Sequence, residues 1–254
     1  MGIVARESDR DLLSAIDELA LYLHEDPRVT ACNVGNSFYL VAEEWEKKNP
    51  TTPEEIHQFY REARSYLWNL TFANYGIPHQ NAWRTIARTM AARGSVPERL
   101  GVLDVGAGIG SVILAVADAE ILPRVPCVHA DVDGVLFRYA AWRYRSRGRN
   151  AEAVEMVPLA ADYLRHDPLE KRRFHAIVCT EVLEHVPDPE ALVAFLARHA
   201  APGAELLATV SFDDDHGLFP CHLNTDKYTN TSFVNEVFPR YGFRQETEIT
   251  FRKV

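Results

Sequence analysis

The stretch Val102-Leu103-Asp104-Val105-Gly106-Ala107-Gly108-Ile109-Gly110 constrains this chain more than any other. A short apolar run breaks into three glycines spaced two apart. It reads as a buried strand that delivers a glycine turn to a helix over Ser111 to Ala119, the place where an α/β sheet binds a nucleotide-like ligand. The glycines let backbone approach a ligand with no Cβ in the way, and the first N–H groups of the helix face the turn. Neither G-x-G-x-x-G nor the P-loop lysine pattern is present. The spacing therefore points away from a pyrophosphate or triphosphate and towards an uncharged adenosine with an amino-acid tail.

The rest of the chain falls into two halves. Residues 1–98 read as a helical cap or lid and residues 99–254 as the ligand-binding α/β domain. In the first half, Leu12, Ile16, Leu19 and Leu23 recur at helical spacing behind Ser8, a candidate N-cap. Phe38 to Trp45 reads as a second helix. Thr52-Pro53-Glu54-Glu55 is a capping box with Pro at the first helical position, and it opens a run to Tyr75 that Gly76 stops. Trp83 to Arg93 reads as one more helix. From Val102 onward strands and helices alternate, which predicts a doubly wound, mainly parallel, Rossmann-like sheet of six or seven strands. The strands are expected at Val102–Val105, Val125–Ala130, Ala153–Pro158, Ala176–Thr180, Glu205–Ser211 and Phe243–Phe251. The clearest helices after the first are Gly134–Ser146, Pro189–Ala200 and Ser232–Tyr241.

The glycine run, D-x-G-x-G-x-G, resembles the first motif of class I S-adenosylmethionine (SAM) dependent methyltransferases. A ribose presents two hydroxyl donors at the span of one carboxylate, so the second strand should end in an acidic residue. Asp131 stands there, followed by Val132, and Asp133 is the alternative. The fourth strand runs into Thr180-Glu181-Val182-Leu183-Glu184-His185-Val186-Pro187-Asp188-Pro189, which resembles the EVLEHVPDP segment of the branch that includes ubiquinone-pathway and natural-product methyltransferases. Pro202-Gly203-Ala204 and Tyr241-Gly242-Phe243 continue the resemblance. It implies that Asp104, Gly106, Ala107, Gly108 and Gly110 surround the methionine part of SAM, with Asp131 and Val132 at the ribose. Asp162 and Tyr163 would lie at the adenine, and Thr180 and Glu181 beside the sulfonium. Twelve residues follow Gly242, so the family's seventh strand is expected to be missing, very short or replaced.

Methyl transfer is an in-line displacement, so alignment, exclusion of water and a proton acceptor are what a protein adds. The candidates are His185, His216, His222 and Glu181, all after the fourth or fifth strand at the carboxyl edge of the sheet. Glu181, Glu184, His185 and His222 also resemble the metal-binding set of small-RNA 2′-O-methyltransferases. With no RNA-binding signature in the chain, no metal is expected. The N-terminal aromatics Tyr60, Tyr66, Trp68, Phe72, Tyr75 and Trp83 would be core or a lid over a sulfonium, with Asn69, Asn74 and His79 beside them.

A net charge of −9 argues against a nucleic-acid partner. The arginines between Arg138 and Arg149 are expected to form an outer solvated face of their helix. No apolar run is long enough for a membrane span, and four scattered cysteines fit a reducing cytoplasm. The expected function is methyl transfer from SAM to a small-molecule acceptor in biosynthesis, secondary metabolism included. One alternative is a SAM-consuming enzyme that releases methylthioadenosine, by closure to azetidine-2-carboxylate or by aminocarboxypropyl transfer. The other is an inactive SAM-binding or partner-binding module.

Overall fold

The computed structural model describes residue 7 and residues 10–76, 101–118, 126–147, 154–213 and 219–254. Ser8, His79, Trp83, the Trp83–Arg93 helix and His216 lie outside the described residues.

Five helices precede the sheet: α1 (Leu12–Leu23), α2 (Pro27–Gly35), α3 (Ser37–Lys48), α4 (Pro53–Glu62) and α5 (Ser65–Tyr75). The cap of α1 is Asp11, whose carboxylate accepts from the Ser14 amide at 2.8 Å, in place of the expected Ser8. Helix α2 was not expected, since its sequence has little amphipathic periodicity. Its start is nonetheless written in Asp26, which accepts from the Arg28 amide, and in Pro27 at the first turn. The capping box at Thr52 and Glu55 forms as expected and opens α4. The helix it opens does not run on to Tyr75, because Ala63 leaves helical geometry at ψ 97° and α5 starts afresh after Arg64.

The sheet has seven strands in the order β3-β2-β1-β4-β5-β7-β6. They are β1 (Val102–Val105), β2 (Cys127–Val132), β3 (Val154–Leu159), β4 (Phe174–Thr180), β5 (Ala200–Thr209), β6 (Phe243–Gln245) and β7 (Thr250–Lys253). The first five pair in parallel. The expected single strand Phe243–Phe251 is instead two short antiparallel strands, with β7 inserted between β5 and β6. Thus the seventh strand is present and four residues long.

Helices α6 (Ser111–Asp118), α7 (Val135–Ser146) and α8 (Pro189–His199) connect the parallel strands, and a helical run α9 (Asn230–Ser232, a π turn Phe233–Val237, then Phe238–Arg240) leads to β6. Alternate strand residues face opposite ways, as the pleat requires. Val102, Ala176, Val178 and Leu207 pack with α1, α3, α5, α6 and α7 on one face. Leu103, Val105, Ile177, Cys179 and Leu206 pack with α8 and α9 on the other. The chain leaves β1 to one side for β2 and β3, then crosses to β4, so the carboxyl ends of β1 and β4 flank the crevice where ligands enter such sheets.

The arginines of α7 correct a second expectation. Arg138 and Arg145 are exposed, but Arg143 is fully buried and the side chain of Arg147 is 6% exposed. Arg143 pairs with Glu7 at 2.7 Å and with Glu18 at 3.0 Å, and its Nη1 donates to the Ile109 carbonyl in the glycine turn. Arg147 reaches the same two carboxylates. Acidic partners from the N-terminal region, far off in sequence, turn what periodicity reads as a solvated face into a buried ion network.

Candidate active site

A cavity of about 580 Å³ opens at the carboxyl ends of β1, β2 and β4 and is roofed by α3, α4 and α5. At its floor, Gly106 and Gly108 adopt left-handed backbone, with φ of 66° and 55°. A Cβ on Gly106 would lie 2.4 Å from Val182 Cγ2, so glycine is required there by space as well as by backbone. Gly110 shares the left-handed conformation but is not part of the cavity wall; a Cβ there would strike the Tyr144 hydroxyl.

Two carboxylates face this floor. Asp104, buried in β1, has one oxygen, Oδ2, with no hydrogen-bond partner, and its burial and the nearby Asp131 push its pKa well above the usual carboxylate range. Asp131 ends β2 and accepts from the amides of Gly108 and Val132, both at 2.6 Å. Burial raises its carboxyl to about 6, opposed by those two amides and by His57. An orphaned buried oxygen, a close-approach backbone and a carboxylate with lone pairs to spare suit a ligand carrying a cation and hydroxyl donors.

Thr180 and Glu181 lie at the edge of the same cavity, where β4 ends. Glu181 sits at φ 53°, a conformation costly for a residue with a Cβ, and it is held there by its amide donating to Thr209 Oγ1 and by Ser211 Oγ donating to its carboxylate at 2.6 Å. Strain of this kind clusters at functional sites. Glu184, three residues on, is fully buried, and burial together with Glu181 keeps its carboxyl well above the usual range.

The opposite wall is aromatic and basic. Tyr60 and Tyr66, from the cap, stand edge-on to the His185 ring, with centroids 5.8 and 6.3 Å away. His222 is 4.8 Å from His185 and stacks on Phe219, which meets Phe38 of α3 edge-on. The loop that brings Cys221 and His222 here is fixed by the Leu223 amide donating to the Glu184 carbonyl and by Asn224 Nδ2 donating to the Val186 carbonyl. Burial and the neighbouring His222 push His185 down to about 3, so its ring is neutral near pH 7.

The cavity therefore brings together Asp104, Gly106, Ala107, Gly108, Asp131, Val132, Thr180, Glu181, His185 and His222. It does not bring in Asp162 or Tyr163. Asp162 is exposed and bonded to His166 at 2.6 Å, while Tyr163 packs edge-on against Phe195. Of the cap aromatics, Tyr60 and Tyr66 line the cavity; Tyr75 instead joins the Arg143 network, and Arg64 lies over the Trp68 ring. Asn69 and Asn74 also line it. Sequence reasoning missed Ser111, Ser211 and Cys221 as wall residues. Ser111 had a readable signal, being the first helical residue after the glycine turn.

Comparison with known proteins agrees with this geometry. A family model described as a methyltransferase domain matches residues 60–245. The ubiquinone biosynthesis O-methyltransferase of Thiobacillus denitrificans is 38% identical over 102 residues, 40% of this chain and 40% of that protein. The enzyme of the same name from Pseudoalteromonas translucida is 35% identical over 104 residues, 41% of this chain and 40% of that protein. The match thus spans less than half the length of these relatives. A putative methyltransferase of Bacillus halodurans shares the fold, with a TM-score of 0.50 at 20% identity over 64% of this chain and 71% of that one. With most of its length under the family model and the glycine turn, acidic strand end and post-β4 segment all in place, the chain belongs to the class I SAM-dependent methyltransferases and uses SAM as its cofactor.

Proposed function

We propose that this methyltransferase acts on an oxygen of a small, flat, largely apolar acceptor. The observation that carries the reading is that the cavity is continuous. Its floor at Gly106, Gly108 and Asp131 and its aromatic wall at Phe38, Tyr60, Phe219 and His222 belong to one cleft of a size usual for small ligands. The names of the curated relatives, which are O-methyltransferases, support oxygen as the receiving atom.

In this reading Asp104 takes the cationic amino group of the cofactor's methionine part, while Gly106, Ala107 and Gly108 let it lie against backbone. Asp131 accepts from the ribose hydroxyls beside the Val132 backbone. When bound, SAM supplies a methyl group made electrophilic by its sulfonium. Thr180 and the strained Glu181 fix the edge of the floor between cofactor and acceptor. The roof of α3, α4 and α5 excludes water, and Phe38 and Phe219 hold a flat acceptor by stacking and edge contacts. His185 and His222 give the acceptor hydroxyl a polar wall, and His222 gives its proton a place to go.

The test is to incubate the purified protein with SAM alone and then with phenols and catechols, resolving nucleoside products by mass spectrometry. S-adenosylhomocysteine formed only with an acceptor, together with an O-methylated product, is the expected result. Methylthioadenosine from SAM alone would replace the reading with a cyclase or lyase, and retained SAM binding without any turnover would favour a binding module.

A further inference from the structure

The loop after β5 places Cys221 and His222 against His185, and their ligand atoms all lie within 4.8 Å of one another. We propose that His185, Cys221 and His222 form a site for a divalent transition metal ion, with zinc the best match, in the acceptor wall of the cavity. Two imidazoles and a thiolate suit Zn²⁺ or Co²⁺ and not the hard, oxygen-seeking Mg²⁺ or Ca²⁺.

The hydrogen bonding around His185 prepares it for this role. Its Nδ1 lies 3.2 Å from the Cys221 carbonyl and 3.0 Å from the Tyr60 hydroxyl. The Tyr60 hydroxyl also reaches that carbonyl, at 3.4 Å, and with the proton on Nδ1, donated to this pair of oxygens, the lone pair is left on Nε2 for a metal. Metal-ligating histidines are commonly oriented by such a bond from the far ring nitrogen. The same carbonyl belongs to the cysteine of the trio, so one contact fixes both ligands. Glu181 and Glu184 stand outside the group: Glu181 is bonded to Ser211, and the carboxylate oxygens of the buried Glu184 are not within the 4.8 Å that joins the three ligand atoms. Cys221 would bind as thiolate, its proton passing to solvent as the sulfur–metal bond forms.

Three protein ligands leave a fourth position, and all three residues line the cavity, so that position faces the acceptor space. There the ion would hold the acceptor oxygen, and the imidazoles would act on it through the metal. Only this last point rests on the proposed function; the site itself stands on the three side chains.

The probe is Co²⁺ added to the purified, chelator-treated chain, without SAM or acceptor. The expected result is one equivalent bound per chain, with a thiolate-to-cobalt charge-transfer band and intense tetrahedral d–d bands, both displaced by Zn²⁺. Cys221→Ser should abolish the charge-transfer band, His222→Ala should weaken binding at least about tenfold, and Cys32→Ser, which removes an exposed thiol, should change nothing. Absence of the band in the wild type, or its survival in Cys221→Ser, would overturn the proposal. X-ray absorption of the zinc-loaded wild type needs no variant to fold: one sulfur at about 2.3 Å and imidazole nitrogens at about 2.0 Å are expected, and a shell of light scatterers alone would refute the site. Because neither readout involves turnover, a failed metal site and a failed methyl-transfer reading remain distinguishable.

Discussion

The Gly108 amide donates to Asp131 Oδ2 at 2.6 Å, so the glycine turn after β1 and the acidic end of β2 are held as one unit. This bond uses one lone pair of the carboxylate and leaves others for ligand hydroxyls. Asp131→Ala removes both contacts at once. It should weaken SAM binding by about 1 to 3 kcal/mol, read as the dissociation constant by calorimetry. An unchanged constant would move the ribose site elsewhere.

The titration of Asp131 separates binding from stability. Its carboxyl is raised from 3.8 to about 6 by burial, so between those values the folded chain holds a proton that the unfolded chain has lost. The contribution of this group to stability is therefore full below about pH 4 and is lost as pH rises through 6. Binding runs the other way, because the ionised carboxylate is the better acceptor for two hydroxyls. SAM affinity should be roughly tenfold weaker at pH 5 than at pH 7 through this group, and Asp131→Asn should remove that part of the pH dependence, leaving what Asp104 contributes. The charged groups facing it, Asp104 and His57, belong to β1 and α4 and remain in that control.

The parts of this architecture that periodicity encodes were legible in the sequence. The five parallel strands and the helices between them appear within a few residues of expectation, since burial on both faces leaves apolar runs between turn residues. The β6–β7 hairpin was read as one strand because Phe243 and Phe251 bracket a polar stretch, Glu246 to Glu248, that carries the turn. Within the site, Asp131 and the glycines could be placed from one βα spacing. Cys221 could not, for its position depends on one contact from the Leu223 amide and one from the Asn224 side chain, across sequence distances that no local pattern records. Arg143 was misread for a similar reason: its partners Glu7 and Glu18 lie more than a hundred residues away.

The three glycines should respond unequally to alanine. Each has positive φ, which costs about 1 to 2 kcal/mol for any residue with a Cβ. At Gly110 the new methyl would also lie 2.3 Å from the hydroxyl of Tyr144, a buried ring whose oxygen is bonded to His129. At Gly108 it would meet only the flexible end of Leu70, at 2.9 Å. Gly110→Ala should therefore lose about 1 to 3 kcal/mol more than Gly108→Ala in denaturant unfolding. Equal losses would mean that Tyr144 can move, and that the third glycine is demanded by backbone alone.

The Arg143 network makes the strongest claim on stability. Its guanidinium bonds Glu7, Glu18, the Tyr75 hydroxyl and the Ile109 carbonyl, and Tyr75 in turn touches Ser111 at the head of α6. Removing the cation takes one guanidinium from the buried Glu7 carboxylate, which keeps Arg147, and leaves the Ile109 carbonyl and the Tyr75 hydroxyl without their donor, which is far costlier than losing an exposed pair. Arg143→Met should destabilise the protein by about 3 to 5 kcal/mol, whereas Arg145→Met, on the exposed face of the same helix, should stay within about 0.5 kcal/mol. Adding Glu7→Gln to Arg143→Met should recover part of the loss, because the single variant leaves the buried Glu7 carboxylate with less compensating charge, Arg147 alone at close range. If the double variant were no more stable than the single one, the network would be holding the glycine turn through the Ile109 contact and not through its charges, and SAM affinity would then fall in step with stability.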